Sequence, residues 1–194
     1  MKDIILNILQ QSIGVKDRFI KNNIDLIIKV ADTIAMNIAS GHKILIFGNG
    51  GSAADAQHLA AEFVNRFQIE RPPLPAIALT TDTSIITSIG NDYHFDEIFA
   101  KQVRALGKKD DIAIGISTSG NSKNVIKAIN TAKNMELLTI GMTGNGGKLS
   151  ECADLVFSVE SSTTARIQEA HITLGHILCE LVERILFPQS FLGQ

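Results

Sequence analysis

Residues 44–62, Ile-Leu-Ile-Phe-Gly-Asn-Gly-Gly-Ser-Ala-Ala-Asp-Ala-Gln-His-Leu-Ala-Ala-Glu, constrain the fold more than any other stretch. An apolar run from Ile44 to Phe47 stops at a glycine cluster, and helical spacing restarts at once. A buried strand, a tight turn and a helix N-terminus produce that pattern. Glycines let the backbone come close to a ligand, and the first amides of the helix have no intrahelical partner, so an anion sits well there. Asn49, Gly50 and Gly51 form the turn. Ser52 is placed to cap the helix or to donate its hydroxyl to a bound phosphate or sugar. His58 and Glu62, four residues apart, fall on one helical face as a candidate metal or proton-transfer pair.

The strand-then-helix pattern recurs along the chain. Beyond the strand at 43–48 and the helix at 52–68, short apolar runs at 76–79, 112–116, 137–141 and 155–159 read as strands. Helical patterns cover 95–106, the stretch from the 117–122 loop to about 134, and 164–187, which Pro188 closes. Residues 90–92, Gly-Asn-Asp, read as a turn. Two amphipathic helices, 2–20 and 24–39, precede the first strand and either cover the sheet or bundle with another copy of the chain. Wholly apolar strands alternating with helices mean a parallel sheet covered on both faces. The expected architecture is a doubly wound five-stranded α/β domain over 1–194. Residues 1–41 form an N-terminal helical hairpin, and 42–194 hold the core and a long C-terminal helix.

Composition removes several classes. A formal charge of −2 gives no basic field for nucleic acid or an acidic membrane surface. The two cysteines, Cys152 and Cys179, lack CxxC spacing and read as reduced, buried thiols. No segment is apolar enough to span a bilayer, and the polar residues among the first eleven exclude a signal peptide. A cytoplasmic location is expected.

Ligands of open parallel sheets bind at the carboxyl ends of the strands. Three loops there are rich in small donors: 49–52, 80–84 and 117–122. The last, Ser-Thr-Ser-Gly-Asn-Ser, offers Ser117, Thr118, Ser119 and Ser122 at the start of a helix, a set that can wrap a phosphate. The alternative is that these residues only cap and turn. The first loop lacks GxGxxG spacing and no Walker lysine follows, so neither a dinucleotide nor nucleotide hydrolysis is expected. On the final helix, Gln168, His171 and His176 stand among Leu174, Ile177, Leu178, Leu181 and Val182. Polar groups in apolar surroundings need partners, and a metal is one. Two histidines, a glutamate and a glutamine suit zinc with an incomplete shell. Gln168 and His176 are two turns apart, roughly 12 Å, so a neighbouring subunit is a candidate source of one ligand.

FGNGGSAADAQHLAAE, RPPLPAIALTTD, IGNDYHFDEIF, GISTSGNSKNV and ARIQEAHITLGHIL together resemble the sugar-isomerase (SIS) family of phosphosugar-binding domains, and more closely its phosphoheptose isomerase branch. The resemblance spans essentially the whole chain. It implies an aldose–ketose isomerase that converts D-sedoheptulose 7-phosphate to D-glycero-D-manno-heptose 7-phosphate for bacterial lipopolysaccharide or capsule. It further implies a zinc-binding homotetramer with intersubunit sites. The family's metal ligands fall on His58, Glu62, Gln168 and His176, and its phosphate loop on Ser117, Thr118, Ser119 and Ser122. Asn49, Gly50, Gly51 and Ser52 match its substrate-contacting turn, and Asn91 and Asp92 its sugar-hydroxyl contacts. Ala165 is a departure, standing where some members carry an acidic residue.

Isomerisation through an enediol needs a base for a carbon-bound proton and an acid for oxygen; Glu62 and His176 fill these roles. Two rivals remain. One is a SIS-fold tetramer that binds the bacterial replication initiator, although such relatives lack the full metal set. The other is a further phosphosugar isomerase, although those are longer chains with domains for which nothing remains after Gln194.

Overall fold

The computed structural model describes residues 1–191; the last three residues of the expected domain and terminal core lie outside the described residues. Five parallel strands form one sheet in the order β2-β1-β3-β4-β5. They are β1 (Ile44–Gly48), β2 (Ala76–Ala78), β3 (Ile112–Ser117), β4 (Leu138–Thr143) and β5 (Leu155–Ser158). The chain steps from β1 outward to β2, then crosses back to β3 on the other side of β1. This reversal opens a crevice beyond the carboxyl ends of β1 and β3, where doubly wound sheets bind ligands.

The pleat divides the strand side chains between two layers. Ile44, Ile46, Ile112, Ile114, Ile116, Ile140, Met142 and Phe157 pack beneath four helices: α1 (Lys2–Asn22), α2 (Ile24–Ala39), α3 (Gly51–Val64) and α8 (Thr164–Leu186). Leu45, Phe47 and Ala113 face the opposite layer. That layer holds α4 (Thr83–Asp92), α5 (Ile98–Leu106), α6 (Lys123–Asn134) and the short α7 (Leu149–Cys152). The expected five-stranded, doubly wound α/β architecture is therefore present, with α1 and α2 leading and α8 closing it.

Some local expectations need correction. Residues 90–92 are not a turn. They complete α4, which Asp82 caps by accepting the Ile85 N–H at 2.9 Å, so the helix runs ten residues through Gly90. Ser52 is not the cap of α3; Gly50 holds that position at φ +55° with no side-chain cap bond, and Ser52 is buried in the first turn. Helix α3 ends at Val64 rather than 68. Met142 and Thr143 belong to β4, not to the loop after it. Cys179 is buried but Cys152 is only half-buried; both are free thiols.

The two leading helices differ in how much of their apolar face they bury. Helix α2 covers the sheet with Ile27, Val30, Ala31, Ile34 and Ala35. Helix α1 buries only Val15 and Phe19, while Ile4, Ile5, Leu6, Ile8, Leu9 and Ile13 remain 47–64% exposed.

Candidate active site at the switch point

The β1 and β3 loops meet at the crevice. Asn49, just past β1, and Asn124, in the first turn of α6, exchange amide hydrogen bonds at 2.9 and 2.8 Å. Asn124 is buried, and its Oδ1 also accepts the Val125 N–H at 2.9 Å. This pair, 75 residues apart in sequence, ties the glycine turn to the serine loop. Gly50 can occupy its positive-φ position only because it lacks a Cβ.

In the serine loop three hydroxyls converge. Ser117 Oγ donates to Ser122 Oγ at 3.0 Å and lies 3.5 Å from Ser119 Oγ, which accepts the Asn121 N–H at 3.2 Å. Ser122 is the N-cap of α6 and makes no side-chain cap bond, so the cluster gathers at a twelve-residue helix N-terminus. Polar hydroxyls and a favourable helix dipole suit a phosphoryl group. Thr118 and Ser119 also line a cavity of about 360 Å³ with Asn145, Ser161, Ser162, Thr164 and Ile167. The 80–84 loop, by contrast, serves the backbone. Thr80 and Thr81 hydroxyls donate to the Ala53 and Ala78 carbonyls, and Asp82 caps α4.

Helices α3 and α8 lie side by side, and Gly175 permits the approach: a Cβ there would fall 2.5 Å from Leu59 Cδ2. The next residue, His176, thereby reaches His58. Their Nε2 atoms are 2.8 Å apart, one ring donating and the other accepting, and Glu62 Oε1 lies 3.3 Å from His58 Nε2. Burial, then the neighbouring His58, lowers the His176 pKa from its ordinary 6.5, with Glu62 opposing. Phe67 stacks on the His176 ring with centroids 5.6 Å apart and planes 28° from parallel.

Three of the four residues expected at a zinc ion thus meet within one chain. Gln168 does not hydrogen-bond to them among the described residues. Its amide rests on the first turn of α3, where a Cβ on Gly51 would lie 2.3 Å from Nε2. Two imidazole nitrogens and a carboxylate oxygen are the donor types of catalytic zinc sites. The Nε2–Nε2 distance is a hydrogen-bond distance, shorter than the roughly 3.3 Å between two donors of one tetrahedral zinc. Accordingly, no three His, Cys, Asp or Glu groups among the described residues stand in metal-holding geometry. One turn before His58, Asp55 has a buried Oδ2 with no hydrogen-bond partner among the described residues. Burial raises the Asp55 pKa and His58 opposes the shift. A buried carboxylate oxygen without a donor, near the His58 imidazole, is an environment that a cation would stabilise. The residues present therefore fit zinc in donor type and in charge.

Asn91 and Asp92 make no side-chain hydrogen bond to the crevice loops among the described residues. They are exposed on the last turn of α4, where Asn91 Nδ2 donates to Asp92 Oδ1 at 2.9 Å. Asn124, Asp55 and Phe67 join the site without having been singled out in the sequence. Only Asn124 carried a signal, as a polar residue in the first turn after the serine loop.

The sequence model of the SIS domain family matches residues 9–144. The chain is 60% identical over 188 residues to the phosphoheptose isomerase of Thermodesulfovibrio yellowstonii, covering 96% of this chain and 94% of that one. The chain belongs to the SIS family, in its phosphoheptose isomerase branch. The Aquifex aeolicus phosphoheptose isomerase is 54% identical over 191 residues, covering 98% of this chain and all of the relative. Solved phosphoheptose isomerases agree in fold. That of Neisseria gonorrhoeae has a TM-score of 0.88 at 43% identity, covering 94% of this chain and 98% of that one. That of Francisella tularensis has a TM-score of 0.90 at 40% identity, with coverage of 94% and 97%.

Proposed function

We propose that this chain is an aldose–ketose isomerase that converts D-sedoheptulose 7-phosphate to D-glycero-D-manno-heptose 7-phosphate. The observation that carries the reading is the meeting of His58, Glu62 and His176 across α3 and α8, on a sheet whose switch point ends in a hydroxyl-lined loop. Membership of the phosphoheptose isomerase branch supports the same substrate class.

The serine loop binds the phosphoryl tail and fixes the far end of the sugar, so the reacting carbons are oriented before chemistry begins. Glu62 takes a proton from C1 of the open-chain ketose. The C–H electrons form the C1–C2 double bond, and the C2 carbonyl electrons move to oxygen, which takes a proton from His176. In the second half Glu62 returns its proton to C2, the C1 hydroxyl proton passes to His176, and C1 becomes the aldehyde carbon. Each group ends in the state in which it began. The 2.8 Å contact with His58 fixes where the His176 ring sits in the site. His58, Glu62 and His176 would hold zinc, with Gln168 as the fourth donor, and the ion would supply electrophilic stabilisation of negative charge on the substrate oxygens.

The chain works as a homo-oligomer in this reading, a tetramer with sites between subunits. Six exposed apolar residues along α1 are more than a solvated helix carries, and a second copy's α1 is the occupant that would bury them in a bundle. Asn91 and Asp92 would then serve a neighbour's sugar hydroxyls. No described helix is long and apolar enough to cross a membrane. In this reading the enzyme works in the cytoplasm and makes heptose for lipopolysaccharide or capsule. Initiator binding has no comparable support, since the serine loop and the His58–Glu62–His176 cluster have no part in it. A substrate-soaked crystal with anomalous scattering at the zinc edge tests the site: a peak among His58, Glu62 and His176 with phosphate at Ser119 supports it, and either feature elsewhere refutes it.

A further inference from the structure

Two turns beyond His176 on α8, Glu183 is buried with a set of donors from a different part of the chain. Its carboxylate accepts the backbone N–H groups of Phe67 at 2.8 Å, Gln68 at 2.9 Å and Ile69 at 3.4 Å, and the Arg71 Nε at 2.8 Å. The Arg71 guanidinium in turn donates to the Glu62 carbonyl at 2.9 Å and to the Phe63 carbonyl at 2.7 Å. Both side chains are 1% exposed. Burying two charges is costly unless every lone pair and proton is matched, and here the matching partners are almost all backbone groups of residues 62–72. The pair therefore fixes the course of the segment leaving α3.

Phe67 is the residue this device presents to the site. Its N–H is held by Glu183, and its ring lies over one face of His176, while His58 meets the same imidazole edge-on at 5.1 Å and 69°. The χ2 torsion of histidine is broad, so the ring plane is set by what touches it. A half-buried aromatic on one face and a hydrogen-bonding imidazole at Nε2 leave a single orientation. We propose that Phe67, anchored by the Glu183–Arg71 pair, is a positioning residue that fixes the plane of His176 for isomerisation. The kinetic consequence rests on the isomerase reading; the effect on ring orientation does not.

Phe67→Tyr keeps the ring, whereas Phe67→Leu keeps apolar cover without a plane. Steady-state turnover of sedoheptulose 7-phosphate should show kcat of Phe67→Leu down about tenfold with KM within about twofold, because misorientation acts on the chemical step. Phe67→Tyr should stay within about twofold of wild type in both. In a second readout, competition with a chromophoric chelator, the zinc Kd should rise about tenfold in Phe67→Leu and hold in Phe67→Tyr, since a ligand's orienting neighbour tunes affinity. Phe67→Met replaces Phe67→Leu if the latter loses its thermal transition. Wild-type kcat and zinc Kd in Phe67→Leu overturn the proposal, as does a rise in KM with kcat unchanged. If wild type itself turns nothing over, the isomerase reading fails, and the order of zinc Kd values alone decides on positioning.

Discussion

The Nε2 atoms of His58 and His176 lie 2.8 Å apart although 118 residues separate them in the chain. Two helices from opposite ends of the sheet's winding deliver them, and Glu62 reaches the same point from one turn along α3. This convergence turns a common helical His–Glu spacing into a site.

Glu62→Gln removes the base while keeping the size and polarity of the side chain. The turnover of sedoheptulose 7-phosphate should fall by about 10²–10⁴ with a native circular dichroism spectrum. Turnover near wild type would reject Glu62 as the base.

Ser119→Ala tests the phosphate seat. Loss of one hydroxyl bond to a charged group should raise KM about tenfold and leave kcat within about twofold. An unchanged KM would put the phosphate elsewhere.

His171 supplies a pH dependence of stability. It is fully buried, its Nε2 lies 3.0 Å from the Thr143 carbonyl, and burial lowers its pKa from 6.5 to about 4. Below pH 6.5 the unfolded chain binds a proton that the folded chain refuses, so stability is full above that pH and is lost progressively down to about 4. The slope approaches about 1.4 kcal/mol per pH unit. His171→Gln retains a donor to Thr143 without the titration, and should flatten the loss of Tm between pH 6.5 and 4; an identical profile would contradict this.

Glu183→Ala leaves Arg71 charged and buried without its carboxylate. It should cost about 3–5 kcal/mol, roughly 10 °C in Tm. Glu180→Ala breaks the exposed pair with Arg184 and should cost less than about 1 kcal/mol. Equal losses by calorimetry would show that burial of the Glu183–Arg71 pair is not what matters.

What the sequence made legible was periodicity. The change from an apolar run to helical spacing at Gly48–Gly51 announced β1 and α3, and repeats of that change gave all five strands. Sequence reasoning failed where a residue's local habit was overridden. Gly90 resembles a breaker, yet the Asp82 cap and the burial of Ile89 carry α4 through it to Asp92. Ser52 is a preferred cap by type, but the positive φ of Gly50 starts the helix earlier and buries the serine. Long-range pairs carried no local signal at all: the Asn49–Asn124 bonds and the Phe67–His176 stack exist only because the sheet order brings distant segments together.

The most direct measurement is proton NMR of sedoheptulose 7-phosphate incubated with the zinc-loaded protein. The account predicts that anomeric signals of D-glycero-D-manno-heptose 7-phosphate grow at the expense of the ketose, and that Glu62→Gln suppresses them. A ketose spectrum that stays unchanged over a folded, metal-loaded wild-type protein would contradict it.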